Sequence, residues 1–250
     1  MSKRNAAKLL LSFLLVFALW ELACRRQIWT PYILPSPERV WETFQKMQAS
    51  GELYHHACIS LKRILWGFGW AFLLSCLFSA LGFLFPGLTG WYSGLLEVFR
   101  HVPPLSLIPL LILWFGIGEL PKTIIIVLAS FFPMYLNMED GLARCDARLL
   151  EVGRMLQYTP LQQVWHIRLP AALPGILTGM KVGMGYSLRA IIGAEMIAAD
   201  TGLGYLILDA QAMSRSDKVI IGILAIGILG LVLDGLFSLL KYWLLPYERN

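Results

Sequence analysis

The sequence predicts an all-α membrane protein whose chain crosses the bilayer about six times. Hydrophobic residues make up 57% of the 250 residues and charged residues only 15%, whereas soluble domains carry about 25% charged residues. The apolar residues are gathered into long runs, and a membrane-spanning helix requires about 20 mainly apolar residues. The formal charge of +5 comes from basic residues that lie largely between these runs, so lipid headgroups explain it better than nucleic acid does.

Six apolar runs are candidate membrane spans. Basic residues precede the first run, as in a signal peptide, but a cleavage site with small residues is poorly formed after it, and we interpret it as an uncleaved span. Six spans would place both termini on the same side of the membrane. In chain order the runs are residues 9–24, 64–85, 95–116, 120–136, 173–199 and 219–245.

The third run contains its own helix breakers. Pro103, Pro104 and Pro109 each lack a backbone N–H donor and disfavour a continuous helix. Broken helices at membrane depth are tolerated where they face protein or a water-filled cavity. The sequence therefore predicts a break in the third span and makes that break a candidate lining of a polar path.

The segment between the first two runs predicts a short amphipathic helix. A rigid turn at residues 34–37 precedes it, and Ser36 or Pro37 suits its start. Four apolar side chains share one face of this helix, namely Val40, Trp41, Phe44 and Met47. Two interpretations remain open: a helix lying at the membrane surface, or a short helix packed on the protein's own spans.

The least hydrophobic long stretch, residues 151–170, lies between two strongly apolar runs. Within it, Thr159-Pro160-Leu161-Gln162 has the pattern of a capping box with proline at the first helical position. We expect one short helix over residues 146–156, then a turn, then a second short helix. The second helix should end at about Arg168, because Pro170 disfavours helical backbone at the residue before it.

Apolar side chains follow helical spacing in the second short helix. Leu161, Val164 and Trp165 fall on one of its faces. One interpretation is packing against the protein's own helices, and the other is insertion into a groove of a soluble partner. Four arginines around the loop would suit a partner with an acidic rim, and these are Arg144, Arg148, Arg154 and Arg168.

This loop resembles the EAA loop of permease subunits of ATP-binding-cassette importers. The family pattern is Glu-Ala-Ala, three residues, Gly, nine residues and Ile-x-Leu-Pro, and residues 151–170 follow that spacing. Val152 and Gly153 replace the two alanines, and Gln157 replaces the glycine. Because that glycine suits a turn with positive φ, either Gln157 adopts a strained conformation or the first helix continues through it.

Three further stretches, residues 34–37, 101–118 and 193–206, resemble the sulfonate, taurine and nitrate permease subfamily. The resemblance covers about residues 30–245 and implies a type I ABC importer permease fold with cytoplasmic coupling helices. A single transmembrane permease domain would then fill residues 1–250. Residues 1–63 would hold the first span and an outer loop with a surface helix, residues 64–245 a core of five spans, and residues 140–170 the coupling loop.

The resemblance also implies partners. A separate ATPase subunit is expected to bind the coupling loop, a second copy of the chain to complete the path, and an extracytoplasmic solute-binding protein to deliver the solute. The residues expected to couple to the ATPase are Glu151, Gly153, Gln157, Leu161, Val164, Trp165, Ile167, Leu169 and Pro170.

The topology rests on the same resemblance. A cytoplasmic coupling loop places the N- and C-termini in the cytoplasm, with the chain in the inner membrane. Lys and Arg divide equally between the two sides of the predicted topology, so the positive-inside rule does not decide the orientation.

The chain is expected to need no cofactor or metal and not to be an enzyme. Its four cysteines form no CxxC pair. No GxxxxGK[ST] phosphate loop occurs, so any ATP would be hydrolysed on a partner. HExxH and GxSxG are absent as well, which disfavours an intramembrane enzyme. A proton-coupled secondary carrier that titrates Glu97, Glu195 or Asp234 remains a rival function.

Charged and helix-breaking residues at membrane depth are costly and often functional. The candidate path residues are Arg100, Pro103, Pro104, Arg189 and Glu195, with Glu97, His101, Lys181 and Asp234 as further polar candidates. In the structural alternative, Glu97 pairs with Arg100 and Arg189 pairs with Glu195.

Arg189 lies near the middle of its predicted span, which favours an anionic solute. The resemblance makes an aliphatic sulfonate, taurine or nitrate the expected solute. A vitamin precursor such as the thiamine pyrimidine is the alternative.

Overall fold

The computed structural model describes residues 3–245, and these residues form eleven α-helices and no β-strand. The helices are α1 (Lys3–Arg25), α2 (Pro37–Ala49), α3 (Glu52–Leu84), α4 (Pro86–Arg100), α5 (Ile108–Phe115), α6 (Glu119–Ala143), α7 (Ala147–Met155), α8 (Pro160–Gln163), α9 (Leu169–Ala198), α10 (Leu203–Ala212) and α11 (Ser216–Leu244). A 3-10 turn (Pro104–Leu107) precedes α5, and a π-helical turn (Val164–Arg168) joins α8 to α9.

Three described helices, α3, α6 and α11, are each long and apolar enough to cross a membrane. Two bent pairs raise that number to five: α4 with Pro104–Phe115, bent by 88°, and Pro160–Ala198 with α10, bent by 44°. The first predicted span lies within α1, a helix of 23 residues. The all-α membrane architecture predicted from composition is confirmed.

The third predicted span is broken into two helices, as its prolines indicate. Residues 95–116 include the end of α4 and all of α5, which meet at a sharp bend. Pro103 has extended backbone angles there, with φ −62° and ψ 123°. The break predicted from the prolines is confirmed, because Pro103 and Pro104 interrupt the helix and Pro109 lies in the first turn of the next one.

The prediction that the second loop helix ends at Arg168 is wrong. The backbone stays helical from Pro160 through the π turn into α9. The N–H of Leu169 bonds to the carbonyl of Val164, five residues earlier, as in a π-helical turn. Pro170 therefore falls in the first turn of α9, where a missing N–H and a fixed φ cost little.

A ridge of small residues on α9 packs directly against α6. Gly175, Gly179 and Gly183 repeat every fourth residue and share one face of α9. A Cβ at Gly179 would lie 2.8 Å from Cβ of Asn137 and 3.2 Å from Cα of Met134. Small residues at this spacing let two membrane helices approach to backbone contact, so α6 and α9 form the centre of the fold.

The same ridge continues into the hydrophobic core. The hydroxyls of Ser187 on α9 and Ser130 on α6 lie 2.5 Å apart and are fully buried. Around them, Ile64, Ile126 and Ile191 are also fully buried. The core therefore brings α3, α6 and α9 together, and the remaining helices pack around this unit.

The helix predicted after the first span is α2, and Ser36 caps it by accepting a hydrogen bond from the Arg39 N–H at 3.3 Å. Val40 and Met47 are buried against α10 and α11, whereas Trp41 is exposed. Of the two interpretations left open, packing on the protein's own helices holds for the buried face. Trp41 lies outside that packed face.

Substituting Gly179 with Ala should destabilise the fold by about 1–3 kcal/mol, because the new methyl group would collide with the backbone of Met134, which cannot move aside cheaply. Thermal unfolding of the purified chain in detergent measures this. Gly185 provides the matched control, since it lies on α9 with open space at its Cβ, and Gly185→Ala should be neutral or slightly stabilising. Equal unfolding midpoints for the two variants would contradict close packing of α6 on α9.

Candidate functional site

The polar loop between α6 and α9 is built from two short helices with well-formed ends. The Asp146 side chain caps α7 by accepting a hydrogen bond from the Arg148 N–H at 2.9 Å. In the predicted capping box, the Gln162 N–H donates to the Thr159 hydroxyl at 3.3 Å and the Thr159 N–H donates to the Gln162 side chain at 2.8 Å. The capping box predicted from the sequence is confirmed.

The turn between the two helices contains a strained glutamine. Gln157 has φ +56°, which is the left-handed conformation. The first helix therefore ends before Gln157 and does not continue through it. Its N–H donates to the Arg154 carbonyl at 2.9 Å, and the Tyr158 N–H donates to the Gly153 carbonyl at 3.0 Å. This pair of bonds is a Schellman motif, and a non-glycine residue in it costs about 1–2 kcal/mol.

Gly153 lets the two halves of the loop touch. It is buried on α7, and a Cβ there would lie 2.4 Å from Cδ1 of Ile167 in the π turn. Gly153 stands where the family pattern has an alanine, and the side chain of Ile167 occupies the space that the alanine methyl group would need. This contact joins α7 to the π turn and holds the loop as one unit.

The outer side of this unit is apolar and uncovered. Leu161 and Trp165 are 68% and 61% exposed, so packing on the protein's own helices does not explain these two side chains in the isolated chain, whereas Val164 is half-buried. We call the following set the loop's apolar surface: Val152, Met155, Leu156, Leu161 and Trp165, each more than half exposed. Among the other coupling candidates, Glu151, Gln157 and Pro170 are exposed and Leu169 is half-buried.

At the other end of α9, Glu195 is fully buried and completely partnered. Its carboxylate lies 3.0 Å from Nη1 of Arg63 and accepts hydrogen bonds from the Ser60 hydroxyl at 2.8 Å. The Gly204 N–H donates to it at 3.0 Å. The structural pairing of Glu195 with Arg189 is wrong, because Arg63 takes that place.

Arg63 is the centre of a network that sequence reasoning missed. Its guanidinium forms a two-bond contact with Glu119, at 2.6 and 2.7 Å, and donates to the Thr201 carbonyl at 2.6 Å. Lys122 also pairs with Glu119, at 2.9 Å. The network links α3, α6, α9 and the segment before α10, so it fixes the bend between α9 and α10.

Two glycines make room for the buried carboxylate. Gly202 has φ +115°, and a Cβ there would lie 2.3 Å from the Glu195 carboxyl group. A Cβ at Gly204 would lie 2.4 Å from the Ile192 carbonyl. The signal that could have revealed this site is therefore the spacing of Glu195, Gly202 and Gly204 in the sequence.

The remaining path candidates lie apart from that network. Arg189 is exposed on α9, with its guanidinium 5.7 Å from the centre of the Tyr186 ring, and no carboxylate within residues 3–245 is within salt-bridge distance of it. Arg100 and Glu97 form the expected pair, at 3.3 Å, beside the break that Pro103 and Pro104 create.

Of the further polar candidates, Lys181 pairs with Asp234 at 3.0 Å, and His101 follows the last residue of α4. The structure therefore does not gather the path candidates into one cluster.

The protein belongs to the family of binding-protein-dependent transport system inner membrane components, whose model matches residues 77–244. One relative, from Bacillus subtilis, carries the name aliphatic sulfonates transport permease protein and is 34% identical over 242 residues, covering 94% of this chain and 85% of the relative. The taurine transport system permease protein of Escherichia coli is 31% identical over 238 residues, covering 93% of this chain and 86% of the relative.

A solved structure supports the fold. The MetNI methionine ABC transporter in inward-facing conformations matches with a TM-score of 0.60 at 18% identity, covering 81% of this chain and 98% of that one. The chain therefore has a type I importer permease fold. It is an inner-membrane subunit of an ABC importer, a kind of subunit that is not itself catalytic and works with an ATPase and a solute-binding protein. The secondary-carrier and enzyme alternatives are not favoured.

Replacing Glu195 with Gln should lower the stability of the purified chain by about 2 kcal/mol, because the change removes one of the two carboxylates that compensate the buried guanidinium of Arg63. Thermal unfolding in detergent measures the loss. Glu21→Gln is the control, since Glu21 forms an exposed pair with Arg25 on α1 and such pairs contribute little. If both variants unfold at the wild-type temperature, Glu195 does not hold the α9–α10 bend.

Proposed function

We propose that this chain imports a small organic anion, in the class of aliphatic sulfonates, and is driven by ATP hydrolysis on a separate subunit. The observation that carries the proposal is the loop's apolar surface, an uncovered patch on a capped and internally packed unit. Exposed apolar patches of this kind mark sites of protein–protein interaction. The coupling role expected for residues 151–170 is supported by this geometry and by family membership.

The ATPase would act through contact alone. The sequence has no phosphate loop of its own, so the partner must bind the nucleotide and change which conformation of the permease it favours. Trp165 and Leu161 are suited to anchor in an apolar groove of the ATPase. Because the backbone is helical from Pro160 to Ala198, movement of that anchor would be carried directly into α9.

This assignment sets the orientation that we propose. The coupling loop lies in the cytoplasm together with both termini, and the Arg63 network and α2 lie toward the opposite face, where a solute-binding protein would dock. A second copy of the chain would complete the path. The exposed apolar side chains along α4, among them Trp91, Leu95 and Val98, are consistent with burial in an assembly or in lipid.

We propose that Arg100, Pro103, Pro104 and Arg189 line the path, and that Glu195 contributes indirectly by holding the bend beside it. An unpaired guanidinium at Arg189 would favour an anion in transit. Most recognition should still reside in the binding protein, because a conduit must release what it carries.

Substituting Trp165 with Asp should prevent the permease from binding its ATPase while leaving membrane insertion intact. Placing a charge at an aromatic anchor that becomes buried in the complex removes at least about 2 kcal/mol of binding free energy. Co-purification of the two subunits measures the loss. Trp29→Asp is the control, because Trp29 is exposed and would lie on the other side of the membrane. Loss of the ATPase in the control, or its retention in Trp165→Asp, would contradict the proposed docking.

Arg189→Leu should reduce uptake of an aliphatic sulfonate at least tenfold, which corresponds to about 1.4 kcal/mol, whereas Arg189→Lys should retain most of it because the charge remains. Uptake by vesicles containing the assembled transporter measures both variants. Wild-type uptake by Arg189→Leu would remove Arg189 from the path. A wild-type transporter that takes up no sulfonate would instead favour a neutral or cationic vitamin precursor as the solute.

A further inference from the structure

A cavity of about 880 Å³ lies between α1, α2, α3 and α11. Aliphatic and aromatic side chains form nearly all of its wall, with Trp20, Phe44 and Ile228 among them. The polar side chains that line it are Glu38, Gln48 and Tyr54. None of the residues named in the coupling loop or the path belongs to it, so it is a separate feature of the fold.

The cavity exists because α1 is attached to the rest of the protein near its C-terminal end. The Trp20 indole N–H donates to the Pro35 carbonyl at 3.0 Å, and the Cys24 thiol lies 3.5 Å from the same oxygen. Closer to the start of α1, Leu10, Phe13 and Leu14 are more than half exposed. The two attachments hold α1 beside α11 but leave a gap between them.

In the membrane, this gap would open to lipid hydrocarbon. It opens between α1 and α11, both of which expose apolar side chains along their length. Water would find few hydrogen-bond partners in such a cavity, and an empty cavity would forfeit dispersion contacts along its whole lining. An acyl chain of a membrane lipid supplies those contacts without exposing any polar group.

The polar side chains that line the cavity indicate which lipid headgroup it would bind. Glu38 is exposed at the start of α2, and among the side chains that the structure describes, those of residues 8 and 10–245, no cation lies within salt-bridge distance of its carboxylate. The neighbouring Arg39 is instead directed to Asp217, at 4.0 Å. A carboxylate at the site disfavours an anionic headgroup and attracts an ammonium group. Gln48 and Tyr54 can donate hydrogen bonds to phosphate or ester oxygens.

We propose that this cavity is a binding site for a phospholipid with an ammonium headgroup, whose acyl chain fills the space between α1 and α11. The lipid joins α1 to the bundle, so α1 is held by two hydrogen-bonded attachments at one end and by a lipid along its length. The proposal rests on the membrane location of the chain and is independent of the transported solute.

The test is native mass spectrometry of the full-length chain. The chain is reconstituted with equal amounts of palmitoyl-oleoyl phosphatidylethanolamine and phosphatidylglycerol, and then partly delipidated in detergent. The wild type should retain phosphatidylethanolamine in preference to phosphatidylglycerol. Ala225→Phe and Ala57→Phe, which fill the cavity, should lose this retained lipid. Leu231→Phe is the control on α11, because Leu231 is exposed and does not line the cavity, and it should retain the lipid.

A further variant keeps the test decisive if a filled cavity disturbs folding. Glu38→Gln is a surface change that should abolish the preference for phosphatidylethanolamine while a lipid is still retained. Equal retention by the wild type and a folded, filled variant would overturn the proposal. A filled variant that keeps its lipid but no longer associates with a second copy of the chain would also overturn the proposal, because the cavity would then belong to an interface between copies. Retention of phosphatidylglycerol in preference to phosphatidylethanolamine by the wild type would overturn the headgroup assignment.

Discussion

A carboxylate that is shielded from water must have its charge balanced by hydrogen-bond donors within the protein. Glu195 is such a carboxylate, and its donors determine how half of the fold is arranged. Burying a lone charge is costly, so its oxygens are met by Arg63, Ser60 and a backbone N–H. Arg63 and Ser60 both lie on α3, and the N–H belongs to Gly204 at the start of α10. These contacts therefore fix where α3 lies, where α9 ends and in which direction α10 continues. They also require glycine at two positions, because a side chain at Gly202 would overlap the Glu195 carboxylate and one at Gly204 would overlap the Ile192 carbonyl.

The opposite end of α9 is organised by a different constraint. There α9 contains Pro170 in its first turn and must still connect to the short helices of the loop. The π turn at Val164–Arg168 provides that connection. The result is a helical rod from the capped start at Thr159 to the charged network at Glu195. Because the glycine ridge holds this rod against α6, a displacement at the loop reaches the core without passing through a flexible joint.

Local features were predictable from the sequence because their causes are local. The capping box at Thr159 depends on residues three apart, and the break at Pro103 depends on the missing N–H of proline itself. Continuation of the helix through Pro170 was not predictable from the residue before it, since it depends on a change of hydrogen-bond register over a whole turn. The Arg63–Glu195 pair joins residues 132 positions apart, and only the packing of α3 against α9 brings them together. The glycines of α9 recur every fourth residue in the sequence, but nothing local to them identifies α6 as the helix that they pack against.

The π turn also sets an angular relation between two surfaces. An α-helix advances by about 100° per residue, and Val164–Arg168 contains one residue more than a regular turn of helix would need. That surplus residue determines the direction in which Trp165 points relative to the glycines of α9. If the same five residues formed a regular α-helical turn instead, both surfaces would stay intact, yet the loop's apolar surface would be rotated by about a quarter of a circle relative to the glycines of α9.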